Sequence, residues 1–101
     1  MWKMTEQHRE VKEKIEQLKA KVRIEEVIGS YVSLHRSGRA LMGRCPFHDD
    51  RVPSLAVYPD TNSFYCFGCR KRGDVIRFLM DAERLGFRDA VEVLTEYAAT
   101  L

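Results

Sequence analysis

The strongest constraint on the fold of this chain is a pair of short motifs in its middle third. Cys-Pro-Phe-His occupies residues 45–48, Cys-Phe-Gly-Cys occupies residues 66–69, and seventeen residues separate them. A tight turn with this ligand spacing presents two donors to one tetrahedral ion. Thiolate and imidazole donors suit zinc and are poor ligands for calcium or magnesium. The sequence therefore predicts one zinc ion held by Cys45, His48, Cys66 and Cys69.

The predicted zinc is structural, because four protein donors leave no open position for a reacting water. Three cysteines, an odd number, argue against a disulfide framework and favour a metal site in a reducing cytosol. Two other interpretations stay open: cysteines without any ligand role, and an iron–sulfur cluster, which the histidine and the missing fourth cysteine disfavour. His8 and His35 have no ligand partner at such spacing, so we predict both as surface residues.

Both ends of the chain carry helical patterns. Near the N-terminus, one apolar stripe recurs every three or four positions at Val11, Ile15, Leu18 and Val22. We predict that this stripe packs in the core; the alternative is that it docks on a partner helix. A short second helix is expected over residues 24–28. Asp74 can cap a third helix that Gly86 interrupts, and a last helix starts near Phe87.

The middle of the chain alternates like short strands, at residues 30–35, 40–42, 54–58 and 63–66, with turns at 36–39 and 59–62. Alternation along the last of these places Phe64 in the core and Tyr65 outside. The 101 residues are thus predicted to form one α+β domain, 1–101: N-terminal helices in 5–30, an antiparallel sheet in 31–72 and C-terminal helices in 74–99. No stretch approaches the roughly 20 apolar residues of a membrane span.

Four further segments accompany the ligand motifs: Pro-Ser-Leu-Ala-Val at 53–57, Gly-Asp-Val-Ile-Arg-Phe-Leu at 73–79, and residues 27–34 and 87–94. Together they resemble the N-terminal zinc-binding domain, a CHC2-type zinc finger, of bacterial-type replicative DNA primase. The resemblance covers roughly residues 15–98. It implies a zinc-ribbon fold, and a domain that engages single-stranded DNA template and helps a polymerase domain on a following segment to start an RNA primer.

A few positions depart from the family pattern. Leu55 stands where Phe is usual, Arg44 ends a segment that usually ends in an apolar residue, and Arg70 replaces the usual glycine after the last ligand. These departures indicate a divergent member and leave the four ligands untouched. The residues supply no carboxylate cluster of the kind that metal-assisted nucleotidyl transfer needs, so we predict no catalytic centre in this chain alone.

Charge is concentrated in the middle of the chain. The formal net charge is only +2, but seven basic and three acidic residues fall between positions 36 and 72. Single-stranded nucleic acid is held by cations along its backbone and by aromatic faces under its bases. The predicted DNA-binding residues are therefore Arg36, Arg39, Arg44, Arg51, Tyr58, Tyr65, Phe67, Arg70, Lys71 and Arg72. The alternative is that the charges merely solvate the sheet while Phe47 and Phe67 shield the zinc.

Three functional hypotheses follow. The first is a non-catalytic DNA-binding module of a primase in the cytoplasm, at the nucleoid and replication fork. Its expected partners are the template strand, the primase RNA polymerase domain in the same chain or in trans, and the replicative helicase, with no membrane. The second is a zinc-ribbon adaptor that binds protein and no DNA. The third is a redox switch, in which oxidation of Cys66 and Cys69 releases zinc.

Overall fold

Along the chain, two helices precede a five-stranded antiparallel sheet and two helices follow it. A computed structural model describes residues 2–49 and 51–101 and, in the first helix, the side chains from Glu10 onward, so the side chain of His8 lies outside the described residues. The elements are α1 (Trp2–Lys21), α2 (Ile24–Gly29), β1 (His35–Ser37), β2 (Ala40–Gly43), β3 (Leu55–Tyr58), β4 (Ser63–Cys66), β5 (Arg72–Gly73), α3 (Val75–Glu83) and α4 (Phe87–Ala99). The predicted α+β class is confirmed. Among the described residues, no helix is long and apolar enough to cross a bilayer.

The sheet has two distinct faces. Its strands follow the order β1-β2-β3-β4-β5, and every neighbouring pair is antiparallel. Leu41, Val57 and Phe64 pair in one row, while Ala56 pairs with Tyr65 in the next row. Because neighbours along a strand point to opposite sides, these two rows belong to opposite faces. Phe64 is buried and Tyr65 is half-buried, which confirms the predicted orientation of this strand.

Helices α2 and α3 cover the face that carries Phe64. The ring of Phe78, from α3, lies edge-on to Phe64 with centroids 5.6 Å apart, and Ile28 of α2 is fully buried in the same cluster. Helix α4 adds Ala90 and Leu94 to the core. Burial of each large apolar side chain contributes about 1.5–3 kcal/mol, so this single cluster is the main apolar support of the sheet.

The predicted stripe of α1 is buried only at its C-terminal end. Val22 is buried, Ile15 and Leu18 are half-buried, and Val11 is exposed. The prediction of core packing is therefore right for Val22, directly after α1, and wrong for Val11, which borders an open groove between α1 and α4 and is 55% exposed.

The strand predicted over residues 30–35 is wrong. The amides of Tyr31 and Val32 both donate to the carbonyl of Ile28, at 2.9 and 3.0 Å, so the chain turns back over the end of α2. The first strand begins only at His35, which is exposed as predicted. The misleading alternation arises because Val32 and Leu34 rest half-buried against the core from an irregular segment.

Two further elements, β5 and α3, differ from the prediction. The short strand β5 was not predicted, because two residues carry too little pattern to be recognised. Helix α3 begins as predicted, since the Asp74 carboxylate accepts from the amide of Arg77 at 2.9 Å. It ends at Glu83 and not at Gly86, because Arg84 adopts a left-handed conformation with φ of 55°. Gly86 instead precedes the first turn of α4.

The turn between β3 and β4 is fastened to the α1–α2 junction by Asn62. Its side-chain carbonyl accepts from the amide of Ile24 at 2.9 Å, and its side-chain amide donates to the carbonyls of Lys19 and Val22 at 2.9 and 3.0 Å. Asn62 also has a positive φ of 53°, which asparagine tolerates better than most residues. One side chain thus joins the sheet to the N-terminal helices.

We expect Asn62→Ala to lower the free energy of unfolding by about 2–4 kcal/mol, because three hydrogen bonds are lost and alanine is strained at positive φ. Asn62→Gly, which loses the same bonds without the strain, should cost about 1 kcal/mol less. Urea unfolding of the zinc-loaded chain measures both. A loss below 0.5 kcal/mol in both variants, roughly a surface-substitution effect, would contradict this role.

Candidate metal centre

Two turns bring the ligand side chains to one point. The first turn follows β2 and carries Cys45 and His48, while the second begins at Cys66, the last residue of β4. Strand β3 lies between β2 and β4, and its Leu55 pairs with both Gly43 and Cys66. The register therefore aligns the end of β2 with the end of β4, which sets the distance between the two ligand motifs.

The geometry of the four side chains fits a tetrahedral zinc ion. Their donor atoms all lie within 4.8 Å of one another, in the cluster Cys45, His48, Cys66 and Cys69. The Cys45 and Cys69 sulfurs are 3.8 Å apart, and His48 Nε2 lies 3.3 Å from the Cys66 sulfur. Zinc bonds of about 2.3 Å to sulfur and 2.0–2.1 Å to nitrogen place tetrahedral donors about 3.5–3.8 Å apart. None of the three cysteines forms a disulfide.

Hydrogen bonds prepare the sulfur of Cys66 for a cation. The amide of Cys69 donates to it at 3.5 Å, and Ser54 Oγ lies at the same distance. Burial raises the pKa of Cys66, but these and further hydrogen bonds outweigh burial and lower the pKa below that of an ordinary thiol. Burial raises the pKa of Cys45, although the amide of Phe47 donates to that sulfur at 3.4 Å. Of these two sulfurs, that of Cys66 is the one whose hydrogen bonds favour the thiolate, and a bound zinc ion would displace the proton of Cys45.

Gly68 is required by the close approach of a ligand. A Cβ atom at this position would lie 2.7 Å from His48 Nε2 and 3.1 Å from Ser54 Oγ. The positive φ of the turn belongs instead to Arg70, at 66°. Arg70 thus occupies the position where the primase pattern usually has glycine, and a left-handed conformation there costs a non-glycine residue about 1–2 kcal/mol.

Phe47 connects the metal site to the apolar core. Its ring lies 5.4 Å from that of Phe78 between centroids, and the Lys71 ammonium stands 5.7 Å above it. Phe67 has a different environment: it is 62% exposed, and its ring packs edge-on to Tyr65 at 4.9 Å. The structure therefore places Phe47, half-buried, between the metal site and the core, while Phe67 is largely exposed.

The predicted DNA-binding residues fall into separate groups. All seven basic residues are exposed. Arg72 pairs with Tyr65 across β4 and β5, so it belongs to the face turned away from the helices, and Tyr58 shares that face through strand alternation. Arg36 pairs with Leu41 on the other face, at the far edge of the sheet.

Lys71 has a structural neighbour, the carboxylate of Asp81 at 3.9 Å. Arg39, Arg44 and Arg51 lie in turns and loops.

Ser54 was missed as a site residue. Besides its hydroxyl contact with Cys66, its carbonyl accepts from the amide of Phe67 at 2.8 Å. The pairing of Leu55 with Cys66 places Ser54 beside this turn. The predicted strands at 54–58 and 63–66, joined by the turn at 59–62, could have revealed this proximity if their pairing had been derived.

The sheet and its two ligand turns define a zinc ribbon, a class of small domains organised by a structural zinc ion. Residues 10–100 match the family model described as CHC2 zinc finger. The chain therefore belongs to the CHC2 zinc-finger family, as its motifs indicated, and the donor geometry supports zinc as its cofactor.

Similar proteins are DNA primases. The DNA primase of Borreliella burgdorferi is 47% identical over 79 residues, which are 78% of this chain and 15% of that protein. The DNA primase of Geobacillus stearothermophilus is 44% identical over 91 residues, covering 90% of this chain and 15% of that protein. The crystal structure of Aquifex aeolicus primase, with its zinc-binding and RNA polymerase domains, aligns with a TM-score of 0.80 and 34% identity over 84% of this chain and 21% of that chain. This chain thus spans about 15% of the length of the curated relatives it matches.

We expect Gly68→Ala to weaken zinc binding about 10- to 100-fold, because the added methyl group displaces the imidazole of His48 from its ligand position. Competition with a chromophoric zinc chelator measures the affinity. Gly86→Ala is the matched control, since a Cβ atom there meets nothing within 4 Å, and its affinity should equal that of the unchanged chain. Equal affinity in the Gly68→Ala chain would contradict the assigned position of His48.

Proposed function

We propose that this chain is the module with which a DNA primase engages its single-stranded DNA template at the replication fork in the cytoplasm. In this role it helps an RNA polymerase domain, in the same chain or in trans, to start a primer. One observation carries the proposal: aromatic rings and the exposed Arg72 share the face of the sheet that the helices leave open. The primase relatives support the assignment to primer synthesis.

The aromatic rings suit stacking with bases. Phe67 is largely exposed, and its ring packs edge-on against that of Tyr65. Tyr58 pairs with Ser63 and Tyr65 pairs with Ala56, so the two tyrosines are diagonal neighbours on adjacent strands. Diagonal positions lie about 7–8 Å apart, a spacing that accommodates one planar base between two rings. Stacking of a base on an aromatic ring contributes about 1–3 kcal/mol and tolerates any base.

The cations beside these rings are available for phosphates. Arg72 stands directly across from Tyr65, and Arg70 projects from the zinc turn. Within the described chain neither guanidinium has a carboxylate at ion-pair distance, since the ion pairs there involve Lys19, Lys71 and Arg77. Each such cation that contacts a phosphate releases counterions from the strand, which makes the affinity fall with salt.

In this proposal the zinc fixes the conformation of the turn beside the template-binding face. With all four positions filled by protein, it would hold the turn over residues 66–71 rigid, so that Phe67 and Arg70 keep fixed places beside Tyr65. In this proposal the bond-forming chemistry of primer synthesis belongs to the polymerase domain, and the zinc ribbon positions the template. Contact with the replicative helicase is a further expectation of the same role.

The test is a titration of the zinc-loaded chain with a short single-stranded DNA, followed by NMR at several salt concentrations. We expect salt-sensitive shifts at Tyr65, Phe67 and Arg72. Arg72→Ser should reduce the slope of log affinity against log salt by about 0.7, the contribution of one phosphate contact on a single strand. Arg70→Gly should act similarly while relieving its positive φ.

Arg36→Ser is the matched control, because it removes an equally exposed arginine from the opposite face and should leave the slope unchanged. Absence of shifts at millimolar DNA would contradict template binding and favour the protein-adaptor hypothesis. If Arg36→Ser and Arg72→Ser lowered the slope of log affinity against log salt equally, DNA binding would stand, but its assignment to the face of Tyr65 and Arg72 would be contradicted.

A further inference from the structure

A groove between the first and last helices lies apart from both the zinc site and the sheet. It has a volume of about 650 Å³. Its apolar lining comes from Val11, Ile15 and Leu18 of α1 and from Phe87 and Val91 of α4. Val11 is 55% exposed and Phe87 is 50% exposed, so the groove is open to solvent at both residues. Clustered apolar exposure of this kind, rimmed by polar residues, marks interaction surfaces.

The rim of this α1–α4 groove is basic. Lys14 and Lys21 border it on α1 and Arg88 borders it on α4, while Glu92 is the acidic residue in its lining. Among the described residues, none of these four side chains takes part in an ion pair, because the pairs that form involve Lys19, Lys71 and Arg77. In the part of the chain that the structure describes, three cations without an ion-pair partner and one carboxylate therefore border the apolar lining of the groove.

We propose that the α1–α4 groove binds an amphipathic helix of a partner protein, with an apolar stripe in the groove and acidic residues along its flank. An apolar helix face anchored at every third or fourth residue is the usual occupant of a groove between two helices. The acidic flank follows from charge complementarity, which selects partners and orients them.

Charge also argues against the two other occupants. A second copy packed on the same groove would bring Lys14, Lys21 and Arg88 toward their own counterparts, and like charges placed together disfavour association. A nucleic acid strand would satisfy the cations but would leave the five apolar side chains of the floor without apolar partners.

The test uses two synthetic helical peptides with the same leucine stripe, one flanked by glutamates and the other by lysines. Each is titrated into the zinc-loaded chain and followed by NMR. We expect the glutamate peptide to bind at least tenfold more tightly than the lysine peptide, with shifts at Val11, Phe87 and Val91. The double variant Lys14→Glu with Lys21→Glu should reverse that preference.

Val11→Asp should weaken binding of the glutamate peptide at least tenfold. Val93→Asp is the matched control, because Val93 is 40% exposed on α4 but does not line the groove. We expect it to change the affinity for the glutamate peptide by no more than about twofold, the size of a distant surface effect. Zinc content and the amide spectrum check that each variant is folded.

Three outcomes would overturn the proposal. The first is equal binding of both peptides, or no binding at millimolar concentration. The second is self-association of the chain that Val11→Asp abolishes, which would make a second copy the occupant. The third is a single-stranded oligonucleotide that shifts the groove residues. The template proposal is tested separately, by shifts at Tyr65, Phe67 and Arg72, which lie outside the groove.

Discussion

Tetrahedral coordination at residues 45–48 and 66–69 is the constraint on which the sheet depends. The strands are two to four residues long, and strands this short have little stability of their own. A structural zinc contributes on the order of 10 kcal/mol in small zinc modules, which is comparable to the whole stability of a small domain. The metal site is also joined to the apolar core, because Phe47 packs on Phe78 and Phe78 packs on Phe64.

The sequence predicted what depends on side-chain chemistry at fixed spacing. The ligand set, the zinc, the cap of Asp74 and the inward direction of Phe64 all followed from local patterns. What it missed depends on register or on distant backbone groups. The supposed strand at residues 30–35 failed because amides there bond back to Ile28, and the role of Asn62 was hidden because its partners lie about 40 positions away. Arg36 and Arg72 looked equivalent until strand pairing placed them on opposite faces.

Two surfaces of different chemistry result from this arrangement. The open face of the sheet combines aromatic rings with arginines, which suits a flexible, anionic strand of stacked bases. The α1–α4 groove combines an apolar floor with a basic rim, which suits a helix. Tyr65 and Phe64 are neighbours in one strand, yet they face opposite sides of the sheet. Tyr65 faces the proposed template, and Phe64 fills the core beneath α3. The zinc has a structural role and takes part in no reaction at either surface. It holds the turn over residues 66–71, which borders the open face of the sheet.

Zinc coordination holds the sheet together, and the measurement that tests this role is amide hydrogen exchange with and without a strong chelator. We expect chelation to remove protection from β3 and β4, including the amide of Cys66 that donates to the Lys71 carbonyl at 2.8 Å, before it affects the amides of α3. Undiminished protection of β3 and β4 in the zinc-free chain would contradict a structural role for zinc, since the apolar core alone would then maintain the sheet.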